Sequence, residues 1–198
     1  MTLKITTNAP CGSTWRCVPD RMQASLMLLQ LMEGVDHLCG QGIAHRDLKS
    51  DNVLLEFDCA GCPRLVITDF GCCLAEDFGL KLPFNSRWVG IGGNPCLLAP
   101  EVATAVPGPG VTIDYSKADC WAVGAIAYEL FSQPNHFYSS QRLEIHSCQE
   151  RQLPPLPDSV PDDAQLVVRL LLCRNNHKAM PSHKQPLIYL CTLGKATG

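Results

Sequence analysis

Apolar residues recur at helical spacing in three stretches of the chain. In the first, from residue 20 to about residue 39, they form one wide stripe that Gly40 ends: Leu28, Leu31, Met32, Val35, Leu38 and Cys39. The second, residues 116–131, is apolar almost all round, which is typical of a helix at the centre of its domain. The third follows Pro161 and two acidic residues, and its apolar face is formed by Leu166, Val167, Leu170 and Leu171. We therefore predict three helices.

Between the first two helices, two short runs carry the apolar and β-branched residues typical of strands. Residues 52–57 and 64–68 are joined by the turn-rich connector 58–63. This pattern predicts a β-hairpin whose two ends bring Asn52 and Asp69 to one place. The predicted fold class is mainly α with a small β-hairpin.

Three stretches lack sustained periodicity. Residues 1–19 are expected to form an irregular lead-in, residues 72–98 a long loop, and residues 175–198 a tail with one apolar island. Ser86 is the single serine of the long loop and a candidate phosphorylation site, with an ordinary exposed serine as the alternative. The longest uncharged apolar run, residues 22–32, is shorter than the ~20 residues of a membrane span, so we expect no membrane segment.

Composition narrows the classes of function. An apolar fraction of 46% with 18% charged residues is that of a globular chain. The net charge of −3 gives no support for a nucleic-acid partner. The twelve cysteines are expected to be reduced and partly buried, because no secretory signal precedes them. Cys59-x-x-Cys62 followed by Cys72-Cys73 leaves a zinc-binding module as an alternative.

Three ordered motifs carry the candidate chemistry. Residues 45–52 read His-Arg-Asp-Leu-Lys-Ser-Asp-Asn, residues 69–71 read Asp-Phe-Gly, and residues 99–101 read Ala-Pro-Glu. All three in this order are improbable by chance, and they resemble the protein kinase family. Asp119-x-Trp121-x-x-Gly124 resembles a further kinase motif.

The resemblance implies a kinase large lobe over residues 20–174, with the catalytic loop at 45–52 and the activation segment at 69–101. A glycine-rich loop, its strand lysine and the paired helix glutamate are not found before residue 45. We therefore expect the β-sheet of the small lobe to be absent. The chain would then be a fragment, an isoform or a faulty gene model, inactive in isolation.

The resemblance also implies roles for individual residues, with ATP and Mg²⁺ as cofactors. Asp47 would orient the attacking hydroxyl or accept its proton, and Lys49 would balance charge on the transferred phosphate. Asn52 and Asp69 would hold Mg²⁺ through oxygen atoms. Leu54 would form the apolar floor under the adenine ring.

Six further positions are implied to support the site: His45, Arg46, Phe70, Gly71, Glu101 and Asp119. His45 and Phe70 would pack the two loops together, and Arg46 would pair with a carboxylate or phosphate of the activation segment. Asp119 would tie down the backbone of the catalytic loop, with a simple helix N-terminal charge as the alternative.

Glu101 is expected to form a buried ion pair with an arginine near the end of the lobe. The position expected to hold that arginine, just before Pro181, holds Met180. The partner of Glu101 is therefore left open.

Cys72-Cys73 directly after the Asp-Phe-Gly motif, with residues 43–52 and 113–119, is similar to a mitochondrial serine/threonine branch of the kinase family. That resemblance implies ubiquitin and the ubiquitin-like domain of Parkin as substrates, and a role in mitophagy at the outer membrane. The competing hypothesis is a non-catalytic lobe, cytosolic if expressed alone, that binds partners or chaperones or competes with the intact kinase.

Overall fold

The computed structural model describes residues 19–59, 62–75, 80–85, 93–138 and 153–172. Within this part of the chain, α1 (Arg21–Gly40) is the longest helix. Its first turn is closed by a capping box, because the Asp20 carboxylate accepts from Gln23 N at 2.8 Å and Gln23 Oε1 accepts from Asp20 N at 3.1 Å. Four residues of the predicted apolar stripe, Leu28, Leu31, Met32 and Val35, are buried. The buried face also includes Ala24 and Met27, whereas the predicted stripe residues Leu38 and Cys39 are only half-buried.

The helix at the centre of the core is α3 (Ala118–Leu130), as its almost continuous apolar sequence predicts. It packs against α1 on one side and against α4 (Asp162–Leu171) on the other. Gly124 allows the closest approach, since a Cβ built there would lie 2.8 Å from Leu172 Cγ and 2.9 Å from Leu171 Cβ. A short helix between the predicted elements, α2 (Pro100–Ala103), was not expected from the sequence.

The predicted hairpin is present as β2 (Val53–Phe57) and β3 (Pro63–Ile67), which pair antiparallel from Val53 opposite Ile67 to Phe57 opposite Pro63. The side chain of Gln30 on α1 forms hydrogen bonds to this hairpin. Gln30 Nε2 donates to Pro63 O at 2.8 Å, and Gln30 Oε1 accepts from Leu65 N at 2.8 Å. The hairpin is therefore held against the helix that precedes the catalytic loop.

The hairpin is not the whole of the β structure in the described residues. Two more antiparallel pairs join β1 (Ile43–Ala44) to β4 (Leu74–Ala75) and β5 (Lys81–Pro83) to β6 (Thr112–Asp114). The expected loop at residues 72–98 therefore contains strand residues. Segments of two or three residues that pair with distant partners leave no periodic signal, because alternation needs a longer run to be seen.

Several expectations fall outside the described residues. These are the lead-in before Pro19, the tail at 175–198, Ser86 and Met180. Among the helices of the described ranges, none is both long and apolar enough to cross a membrane.

The close packing at Gly124 generates a stability prediction. Gly124→Ala should lower the free energy of unfolding by about 1–3 kcal/mol, because the added methyl group overlaps Leu171 and Leu172. Gly40→Ala is the matched control: a Cβ there meets nothing within 4 Å, so we expect no loss of stability. Denaturant titration of both variants measures the difference, and equal midpoints would contradict the packing described.

Candidate active site

A buried carboxylate at the start of α3 holds the backbone of the catalytic loop. Asp119 Oδ2 accepts from His45 N at 2.6 Å, and Oδ1 accepts from Arg46 N at 2.9 Å. Burial raises the pKa of Asp119, and the two backbone N–H donations oppose that rise. Asp119 thus contacts the loop through both oxygens and is not an exposed helix-end charge.

Arg46 adopts a backbone conformation that is unusual for a residue with a side chain. Its φ is 64°, in the left-handed region, where a non-glycine residue stores about 1–3 kcal/mol of strain. Its Nε donates to Cys72 O at 2.8 Å, and its guanidinium lies 5.7 Å from the centre of the Tyr115 ring. The described contacts join Arg46 to a backbone carbonyl and an aromatic ring. The sequence predicted instead a carboxylate or phosphate of the activation segment.

Asp47 lies between two donors from its own loop. Lys49 Nζ is 3.0 Å from Asp47 Oδ2, and Asn52 Nδ2 donates to the same oxygen at 3.1 Å and to Asp47 O at 2.9 Å. The hydrogen bond to Asp47 raises the pKa of Lys49, so the ammonium form is maintained. Because the side chains of Lys49 and Asn52 both donate to Oδ2, Asp47 Oδ1 is the oxygen that can receive an incoming donor.

Asn52 and Asp69 stand at the same end of the hairpin. Asn52 O accepts from Thr68 N at 2.9 Å and from Thr68 Oγ1 at 3.1 Å, and Thr68 immediately precedes Asp69. The amide nitrogen of Asn52 donates to Asp47, so the amide oxygen of Asn52 faces away from Asp47. The backbone of Asp69 adopts a left-handed conformation, with φ of 64°. Its Oδ1 accepts a long hydrogen bond of 3.4 Å from Gly71 N.

The oxygen atoms that Asn52 and Asp69 offer at this end of the hairpin suit Mg²⁺ as ligands. A carboxylate and an amide oxygen are hard ligands, and Mg²⁺ in nucleotide sites takes only one or two protein ligands beside phosphates and water. The zinc alternative is wrong for the described part of the chain, where no group of three or more His, Cys, Asp or Glu side chains could hold a metal. Cys59 and Cys62 lie at the tip of the hairpin, whereas Cys72 and Cys73 follow its opposite end.

His45 joins the two loops from a fully buried position. Its Nε2 is 2.9 Å from Thr68 O, and its Nδ1 accepts from Asp47 N at 3.3 Å. The two ring nitrogens of His45 thus contact both loops, Nε2 at Thr68 and Nδ1 at Asp47. The ring also contacts Phe70 at 5.0 Å between centroids, although 42% of Phe70 remains exposed.

The remaining predicted residues lie around this centre. Leu54 is half-buried on β2 directly opposite Val66, which is 37% exposed, so the two form an apolar surface facing away from the core. Glu101 lies in the first turn of α2 and is half-buried, and its predicted ion pair with an arginine stays a prediction.

Sequence reasoning missed the structural role of Gly93. Its φ is 83°, and a Cβ built there would overlap Arg46 O and lie 3.2 Å from Asp47 Cα. The segment that begins at Gly93 therefore packs directly on the backbone of the catalytic loop. A glycine pair at residues 92–93 is the signal that could have indicated such a close approach.

This packing predicts that Gly93→Ala is more damaging than an alanine at a comparable turn. Gly110 also has a positive φ, 75°, but a Cβ there meets nothing within 4 Å. Both variants lose the conformational freedom of glycine, and only Gly93→Ala adds a clash with backbone. We expect Gly93→Ala to be the less stable by about 1–3 kcal/mol in thermal or denaturant unfolding. Equal stabilities would show that the segment does not rest on Arg46.

Comparison with known proteins agrees with this geometry. The family model for the protein kinase domain matches residues 13–185. The chain is 61% identical over 177 residues to human serine/threonine-protein kinase PINK1, mitochondrial, and 50% identical over 163 residues to the Tribolium castaneum protein of that name. It is 32% identical over 162 residues to human myotonin-protein kinase.

The three matches cover 86%, 82% and 79% of this chain but only 30%, 29% and 24% of the relatives. The chain thus spans under a third of the length of these relatives. The family match nevertheless includes every residue of the candidate site described above. The chain belongs to the protein kinase family and, within it, is PINK1-like.

Proposed function

We propose that the protein carrying this chain is a Mg·ATP-dependent serine/threonine kinase, which transfers the γ-phosphoryl group of ATP to a serine hydroxyl of a protein. The observation that carries the proposal is the arrangement around Asp47: Lys49 and Asn52 both donate to Oδ2, and Oδ1 is left for a substrate hydroxyl. Such a polarised carboxylate suits a reaction in which positioning matters more than covalent catalysis.

Asp47 would orient the serine hydroxyl through Oδ1 and accept its proton as the new Oγ–phosphorus bond forms. Lys49 already lies 3.0 Å from Asp47, so its ammonium group would also stand near the transferred phosphate and offset its charge. The rigid support for both comes from Asp119, which fixes the preceding two residues.

Asn52 and Asp69 would hold Mg²⁺ at the open end of the hairpin. Bound there, Mg²⁺ would neutralise charge on the nucleotide phosphates. The face formed by Leu54 and Val66 on the same hairpin would receive the adenine ring, because flat apolar surfaces suit an aromatic base. Residues 20–174 would then constitute the large lobe of the kinase domain.

The finer identity of the substrate is also part of the proposal. The human and Tribolium castaneum relatives named mitochondrial serine/threonine-protein kinase PINK1 are 61% and 50% identical to this chain, which supports a similar setting. We propose ubiquitin and the ubiquitin-like domain of Parkin as substrates, in mitophagy at the mitochondrial outer membrane.

A second candidate is a non-catalytic role, in which this segment binds partners or competes with an intact kinase. The observation that favours it is the exposed apolar surface beside the candidate site, where Phe70 is 42% and Val66 37% exposed. Tight, Mg²⁺-dependent binding of ATP by the isolated 198-residue chain would count against this candidate, and failure to bind ATP would favour it.

Asp47→Asn should separate chemistry from binding. In the protein at its full natural length, we expect kcat for transfer from labelled ATP to fall by about 10²–10⁴-fold, because the amide cannot accept the hydroxyl proton. Nucleotide affinity should stay close to that of the unaltered protein. Full activity in Asp47→Asn would exclude the proposed mechanism.

The control for that variant is Glu56→Gln, which removes a carboxylate from the same hairpin away from the candidate site and should leave kcat unchanged. Two phosphate-accepting substrates, a serine peptide and ubiquitin, separate the proposed kinase activity from the proposed choice of substrate. Transfer to a serine peptide without transfer to ubiquitin would retain the kinase and overturn the proposed substrate.

A further inference from the structure

The tip of the β2–β3 hairpin carries two exposed cysteines that the candidate active site does not use. Cys59 and Cys62 are separated by two residues, and neither is in a disulfide. Their exposure differs from the partial burial expected from the sequence. A pair of accessible thiols at this spacing is a candidate redox site, whereas Cys72 and Cys73, the further zinc ligands that the sequence suggested, follow the opposite end of the hairpin.

Backbone and side-chain hydrogen bonds close the tip around this pair. Beyond the last ladder pair, Asp58 N donates to Cys62 O at 3.0 Å. In return, Cys62 N donates to Asp58 Oδ1 at 2.8 Å. Cys62 is thereby fixed opposite the residue that immediately precedes Cys59.

The other side of Cys62 is also fixed. The next residue, Pro63, has its carbonyl held by Gln30 of α1 at 2.8 Å, and its ring restricts φ. Cys59 is covalently next to Asp58, so its Cα lies about 3.8 Å from that of the residue to which Cys62 is hydrogen-bonded. The two thiols therefore flank one hydrogen-bonded pair, and a disulfide between them requires Cα atoms about 4.4–6.8 Å apart.

Other described cysteines are less available for such chemistry. Burial is the main cause that raises the pKa of Cys39, and it raises that of Cys120 to about 12, so both stay as thiols near neutral pH. Cys72, Cys73 and Cys96 are partly buried. Because the thiolate is the attacking species, the exposed tip is favoured over these buried positions.

We propose that Cys59 and Cys62 form a reversible dithiol–disulfide pair that is oxidised by small-molecule disulfides such as glutathione disulfide. One protein thiolate attacks the small disulfide, forms a mixed disulfide and releases one small thiolate. The second protein thiolate then attacks the protein sulfur of the mixed disulfide and releases the other. The two protein thiols lose two electrons and two protons, and the small disulfide is reduced to two thiols.

The test equilibrates the reduced 198-residue chain with mixtures of glutathione and glutathione disulfide, traps free thiols by alkylation and reads each cysteine by peptide mass spectrometry. We expect the peptide carrying Cys59 and Cys62 to lose two hydrogens, to escape alkylation and to recover both thiols with dithiothreitol. In Cys59→Ser, Cys62 should stop at the mixed disulfide with glutathione.

Two further variants test the geometry. Asp58→Ala removes the side-chain acceptor for Cys62 N, so the equilibrium constant for closing the disulfide should fall about fivefold, as expected for one lost hydrogen bond. Cys39→Ser, a change at a partly buried thiol on α1, should leave that constant unchanged. The proposal is overturned if both tip thiols remain reduced or only take up glutathione separately. Protection from alkylation only when zinc is added would also overturn it.

Discussion

The double hydrogen bond from the Asp119 carboxylate to the backbone of His45 and Arg46 is the interaction on which the candidate site depends. Taking a carboxylate out of water is costly, and burial accordingly raises its pKa. The two short N–H donations offset that cost. They also hold Arg46 in a left-handed conformation that its side chain disfavours. Since α3 is the buried centre of the core, the predicted catalytic loop is fixed to a buried helix.

From this anchor, hydrogen bonds extend to both sides of the candidate site. His45 contacts Thr68 and Phe70, while Asn52 contacts Asp47 and Thr68. The residue proposed to orient the hydroxyl and the residues proposed to hold Mg²⁺ thus share their supports. The two N–H donations to Asp119 therefore support both groups through the backbone of His45 and Arg46.

The parts of the structure with strong local patterns could be predicted from the sequence. The α1 stripe, the apolar α3 and the hairpin each extend over enough residues to show a period. The proximity of Asn52 and Asp69 follows from the hairpin alone. The β1–β4 and β5–β6 pairs could not be predicted, since each is two or three residues long and joins distant segments. The Tyr115 ring beside the Arg46 guanidinium and the exposure of Cys59 and Cys62 depend on tertiary contacts that no local pattern encodes. The glycine pair at residues 92–93 could indicate a close approach, but not that Arg46 is the residue approached.

The most direct test of the anchor is amide hydrogen exchange at His45 and Arg46 in Asp119→Asn, with Asp162→Asn in the first turn of α4 as the matched control. An asparagine side chain has the same shape but offers one neutral acceptor in place of two charged ones. We predict that protection at both amides falls by about 10–100-fold, the effect of losing a hydrogen bond to a charged group, while amides in the middle of α1 keep theirs. Unchanged protection of His45 and Arg46 in Asp119→Asn would contradict the central role of this carboxylate.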